Sequence, residues 1–432
     1  MTAIVGIINR QGVAFAADSA ATYTTDGMVK VSNTANKVFS LSRKQPIGMA
    51  LYNNADFHGI PWEVIFKRYR DDYLKNRSFP KLTDYIEDFW HFLSTDILSK
   101  VSEVEQKRHV AVYASGLKKE MQETVNNELL AEQASVAPEA MFEKMMSTLE
   151  GMSVHLATFN RTSGFRDYEM ADFEIYAQEV VEAQIGDLLS DPACPHGFRQ
   201  AFVDALHKVI VADISIYLSY SGLIFFGYGE EELFPSYHQF VVSLAFDKRV
   251  KYYQETECIV SNSLNACVAP FAQTDVANTV VRGIDQKLRT EIGNIISTSY
   301  NDFRKIIVDV LNKNGAPSEL SDALKELDLQ VSVSSVIDRI NTFIQENYVD
   351  KMLSTVAFLS KEDLAEMAES LVKMTSLKRH VTTALESVGG AVDVAVITKG
   401  DGFVWIKRKH YFDAKLNHDY MEQYSVNSNV IV

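Results

Sequence analysis

The chain has 432 residues, 47% hydrophobic and 23% charged, with a formal net charge of −15. That acidity argues against a broad phosphate-binding face, which would concentrate Lys and Arg, and so against nucleic acid as a partner. Three scattered cysteines, Cys194, Cys258 and Cys267, exclude a disulfide framework.

The opening Met1-Thr2-Ala3-Ile4-Val5-Gly6 lacks the basic stretch and long apolar core of a signal peptide. No later run approaches the roughly twenty apolar residues that span a bilayer, so a cytoplasmic chain without a membrane partner is expected. The ten histidines are scattered, no Cys pair has metal-knuckle spacing, and no Gly-rich phosphate loop is present. Neither a metal nor any other cofactor is expected.

Residues 3–8 and 13–17 are short apolar, partly β-branched segments separated by Asn9-Arg10-Gln11-Gly12, a pattern that predicts a hairpin. Strands are predicted again over 37–41 and 47–52, before Pro61 opens a helix with Trp62, Ile65, Phe66 and Tyr69 on one side. Residues 80–218 have apolar positions at three- and four-residue spacing and read as helical. Strand character returns at 222–227, 237–245 and 266–269. After Thr274-Asp275, a predicted N-cap, one long helical stretch carries Val276, Val280, Ile284, Leu288, Ile292 and Ile296. Ser360 with Asp363 has the spacing of a capping box, and residues 392–397 and 403–407 flank a Gly-containing turn as a second hairpin. No repeat or linker divides these blocks, so a single domain is expected, with helical insertions at about 80–218 and 297–360.

A hydrolytic threonine needs a base, and a free α-amine on the same residue supplies one, because its ordinary pKa is roughly 7.7–8.0. Met-Thr starts normally lose the methionine, which would make Thr2 the terminus. Thr2-Ala3-Ile4-Val5-Gly6 and the following Gly12-Val13-Ala14-Phe15-Ala16-Ala17-Asp18-Ser19 resemble the opening of proteasome β-subunits and their bacterial ring-protease relatives, which are N-terminal-nucleophile hydrolases. Thr34-Ala35-Asn36-Lys37-Val38 resembles the family segment that supplies the active-site lysine. The resemblance implies Thr2 as nucleophile, with Lys37 stabilising the alkoxide and Asp18 fixing the lysine. It places the oxyanion-hole amide at Tyr52 and substrate-lining positions at Thr22 and Ala50.

The chain departs from the family pattern in three places. Tyr52-Asn53-Asn54 stands where the family has Gly-Gly, and the 270–275 segment lacks the family's assisting serine. Val388 replaces a second serine, leaving Glu386 or Ser387 to orient the amine. The fold implied is α+β: a four-layer αββα sandwich, two antiparallel sheets between helix layers, with helical insertions. The activity implied is a threonine-type amide hydrolase, a peptidase acting on peptides, in a ring-type homo-oligomer; a partner ATPase is not legible. The alternatives on the same fold are a catalytically silent scaffold or ring subunit, which the missing serines favour, and a small-molecule amidase.

Overall fold

The computed structural model describes residues 2–25, 28–132, 137–382, 389–410, 412 and 416–417. They fall into two compact units. One comprises the chain up to Ala35, Val260–Val396 and the chain from Val404 on; the other comprises Asn36–Ile259 and Ile397–Phe403.

The first unit is built on a five-stranded sheet. Its strands are β1 (Ala3–Asn9), β2 (Gly12–Ala17), β12 (Ala266–Ala272), β13 (Asp393–Thr398) and β14 (Gly402–Lys407), in the order β12-β1-β2-β13-β14. β1 pairs antiparallel with β2, Ile4 opposite Ala17 and Ile8 opposite Val13, as the hairpin pattern predicts. Its turn is closed by Asn9, whose Oδ1 accepts from the amides of Gln11 (2.8 Å) and Gly12 (3.3 Å). The same side chain donates to the carbonyls of Val356 (3.0 Å) and Leu359 (2.9 Å), tying the hairpin to the helices. A separate hairpin joins β3 (Ala21–Thr25) and β4 (Met28–Ser32).

Six helices belong to this unit: α7 (Asp275–Arg282), α8 (Gln286–Lys313), α9 (Ser318–Glu326), α10 (Gln330–Ile344), α11 (Asp350–Val356) and α12 (Lys361–Thr382). Small residues on both sides, Ala14 and Ala16 from β2 and Ala365 and Ala368 from α12, let that helix lie close on the sheet in one buried cluster with Val5, Ile7 and Leu371. The capping box forms: Ser360 Oγ accepts the Asp363 amide (3.2 Å) and the Asp363 carboxylate accepts the Ser360 amide (3.3 Å). The long stretch predicted after Thr274 is two helices. Gly283 takes φ 69° and ends α7, and Asp285 starts α8 by accepting the amides of Lys287 and Leu288.

The second unit holds the other five-stranded antiparallel sheet. It is formed by β5 (Val38–Ser40), β6 (Ile47–Asn53), β9 (Ser221–Gly227), β10 (Ser236–Phe246) and β11 (Arg249–Ile259), in the order β11-β10-β9-β6-β5. A two-residue ladder pairs β7 (Asp56–Phe57) with β8 (Ile60–Pro61). Helices α1 (Trp62–Arg68) and α2 (Leu82–Phe92) bury Trp62, Phe66, Phe89 and Trp90 against Leu223, Phe225 and Phe240. A helical block follows, made of α3 (Glu103–Glu132), α4 (Pro138–Leu156), α5 (Met170–Leu189) and α6 (Phe198–Val211). Its core includes Tyr113, Leu117, Phe173 and Phe202, and it closes on Leu244 and Phe246 of β10.

Candidate functional site

Within the first unit Asp18 is bonded to Ala3, the residue that follows Thr2. Thr2 precedes β1 and is buried, its carbonyl accepting the amide of Gln273 (3.1 Å). Asp18 follows β2 and is 1% exposed, so its carboxylate requires strong donors. Oδ1 accepts the amide of Ala3 (2.8 Å), and Oδ2 accepts those of Ala20 (3.1 Å) and Gly389 (3.1 Å). The Asp18 amide in turn donates to the Ala3 carbonyl at 3.1 Å. One carboxylate thus grips the residue after Thr2, the turn out of β2, and the loop before β13.

Ser19 extends the same knot. Its amide donates to Gly389 O (3.1 Å), its carbonyl accepts from Ala35 N (3.0 Å), and its hydroxyl donates to Ala391 O. Gly390 has φ 75°, and a Cβ there would lie 3.0 Å from Asn33 and 3.3 Å from the Ser19 side chain, so only glycine fits between the two loops. That Asp18 holds this loop could not be read from the sequence. Glu386 and Ser387, expected to orient an amine, lie outside the described residues. Thr22 is exposed on β3, opposite Val31.

The other expected residues belong to the second unit. Lys37 is buried just before β5, and its carbonyl accepts the Leu51 amide at 2.8 Å. Ala50 is fully buried in β6, between Val38 and Ile224. Tyr52 pairs with Gly222 of β9. Because amides alternate along a strand and that of Leu51 points to the β5 side, the Tyr52 amide points toward β9. Asn53 follows with φ 67°, and the Asn54 amide donates to Tyr220 O (3.1 Å). The Tyr52 hydroxyl donates to Glu255 (3.1 Å) and accepts from Gln239 (2.7 Å); burial, then the neighbouring carboxylate, pushes the phenol well above its ordinary range.

Sequence reasoning missed two further polar features of this unit. Lys251, on β11, is wholly buried and donates to the carbonyl of Val209 (2.8 Å) in the last turn of α6, with its ammonium 5.2 Å from the centre of the Tyr113 ring. Burial depresses its pKa to about 7. His58 and His109 stack with ring centres 4.0 Å apart, and burial, then the neighbouring ring, lowers His58 to about 3. No apolar periodicity marks either pair, because each is assembled from distant segments. Among the described residues no group of three His, Cys, Asp or Glu side chains is placed to hold a metal ion. Among them, too, no helix is long and apolar enough to cross a membrane.

No protein-family model and no curated protein matches the chain. Three solved structures similar to it are Anbu proteins. The Anbu complex of Pseudomonas aeruginosa, described as a helical assembly, is 9% identical over 99% of this chain and 93% of that one, with a TM-score of 0.30. A Gly-1 mutant of Anbu from Hyphomicrobium sp. strain MC1 is 9% identical over 100% and 98%, with a TM-score of 0.27. Anbu of Yersinia bercovieri, described as an ancestral β-subunit, is 8% identical over 100% and 98%, with a TM-score of 0.26. These findings correct the expected membership in the proteasome β-subunit family: the similar structures are Anbu proteins, proteasome-like but distinct. The physical reason is that the resemblance rests on short segments, the opening hairpin chief among them. There Asp18 and Gly390 do backbone work that the hairpin needs in any case.

Proposed function

We propose that the chain is a proteasome-like subunit that acts by assembly rather than catalysis, on a four-layer αββα sandwich with helical insertions at about 80–218 and 297–360. Two five-stranded antiparallel sheets, each carrying helices, support the sandwich. The observation that carries the silent reading is Asp18, whose two oxygens accept three backbone amides from three segments. A strand clamp of this kind needs no free amine at Thr2. The Tyr52 amide, turned toward β9, and the serine-free 270–275 segment agree with it.

A second reading is favoured by where the clamp sits. Asp18 grips the amide next to Thr2, so a mature terminus would be held in one place. In that reading Thr2 Oγ attacks an amide carbonyl while its proton passes to the α-amine. The C–N bond then breaks as that proton moves to the leaving amine. Water hydrolyses the ester and restores the hydroxyl. Lys37 lowers the cost of the alkoxide, Asp18 fixes the lysine, and the substrate is a peptide or a small amide.

Intact mass after exposure to a threonine-directed β-lactone separates the two. The silent subunit forms no Thr2 adduct, and Thr2→Ala keeps its fold and solution mass. Asp18→Ala, which strands three backbone amides, two of them buried, loses about 1–3 kcal/mol or more in a urea melt. An adduct on the wild type that is absent from Thr2→Ala would overturn the silent reading in favour of the hydrolase.

A further inference from the structure

Helix α8 has two faces. Toward α9 and α10, Val308 is buried, Arg289 Nε donates to Asn341 (3.1 Å), and Arg304 donates to the carbonyls of Lys325 (3.1 Å) and Leu327 (3.0 Å). On the opposite face Leu288, Ile295, Phe303, Ile306 and Val310 are 53–63% exposed. With the half-buried Ile292 they form a stripe along one side of a helix of 3.6 residues per turn, about 33 Å long. A row of large apolar side chains of this length on a water-facing helix marks an interface.

The order of residues identifies the partner. About Ser299 the stripe reads the same in both directions: Leu288 mirrors Val310, Ile292 mirrors Ile306, and Ile295 mirrors Phe303. An antiparallel two-fold contact about that point sets each of these apolar side chains against an apolar mirror position of the other copy. Ser299 falls on the dyad, where a small side chain lets two backbones approach. One flank of the stripe carries exposed Lys287, Glu291, Lys305 and Asp309. In an antiparallel pair the same flank of both copies meets, so Lys287 comes beside the second copy's Asp309 and Glu291 beside its Lys305, each contact made twice, whereas a parallel pair sets this flank against the opposite one and makes neither contact.

We infer that α8 is a self-association seam, pairing antiparallel with α8 of a second copy of this chain about a dyad at Ser299. The inference rests on the subunit reading above for its purpose but on α8 alone for its geometry.

Disulfide trapping with the full chain, in a Cys194→Ser, Cys267→Ser background, tests it together with solution mass by sedimentation. Ser299→Cys cross-links to its own mate, Leu288→Cys alone does not, and Leu288→Cys with Val310→Cys does. Phe303→Asp gives monomer with an unchanged circular dichroism spectrum. Glu291→Lys or Lys305→Glu weakens the dimer several-fold, and the two together restore it. An oligomer that does not cross-link at Ser299 and ignores Phe303→Asp overturns the seam while leaving the subunit reading intact. A monomeric wild type overturns both. A monomer that pairs only after removal of residues 418–432 assigns the stripe to the chain's own tail, and also overturns the seam.

Discussion

The chain carries two helical blocks of opposite burial. In the block α3–α6, nine of the fourteen residues of α6 are buried, and the helices close on Leu244 and Phe246 of β10. In α8–α10, twenty-eight residues of α8 bury only Val308, and α10 buries only Val333 and Ile344. Helical spacing of apolar residues is present in both. Periodicity therefore specifies a face, and what covers the face is decided by the rest of the fold or by another molecule.

Substitutions in the two blocks should break or sharpen that contrast. The largest effect is expected for Phe202→Ala, which empties a fully buried position in α6 and should cost about 3–5 kcal/mol in a urea melt. A loss below about 1 kcal/mol would mean that the block is not the packed core it resembles.

Next comes Lys251. Its ammonium titrates near 7 when folded against an ordinary 10.5, so between those values the unfolded chain holds a proton that the folded chain has released. Stability should rise with pH across that window, by up to about 1.4 kcal/mol per pH unit, and Lys251→Met should flatten the rise. An unchanged slope in the variant would refute the assignment.

An acid effect, read over a narrower pH range, is expected at the stacked histidines. His58 falls from its ordinary 6.5 to about 3, so the unfolded state takes up a proton first and stability should drop as pH falls through that range. The charged and titratable groups facing the pair are Glu105, 3.8 Å from His109 Nε2, with Arg108 and Asp56 further off. His58→Phe keeps the ring contact and should reduce the drop, read as urea midpoints between pH 6.5 and 5. The smallest effect belongs to the other block. Phe303→Ala, at 63% exposure, should change monomer stability by no more than about 0.5 kcal/mol at high dilution while weakening association at higher concentration.

The opening hairpin was legible in the sequence because two apolar segments flank a turn that Asn9 can close, and the box at Ser360 because its spacing is fixed by helix geometry. β11 was not, since Gln254, Glu255, Thr256 and Glu257 interrupt its apolar residues and leave no alternation to read. Nor was the break at Gly283, where an unbroken periodicity conceals the end of one helix and the start of another. At the candidate site the order Thr2, Asp18, Lys37 could be read. The direction of the Tyr52 amide could not, because it depends on which edge of β6 meets β5. Nor could the backbone task of Asp18, which joins residues 371 positions apart.

The bond from Lys251 to Val209 has a consequence for how the chain is made. The last turn of α6 is finished by a donor forty-two residues downstream, so on the ribosome that turn stays open until β11 has left the exit tunnel. The four-helix block is therefore not a cassette: excised or grafted elsewhere, it would carry an orphaned carbonyl at its end and bare the side of β10 that it covers.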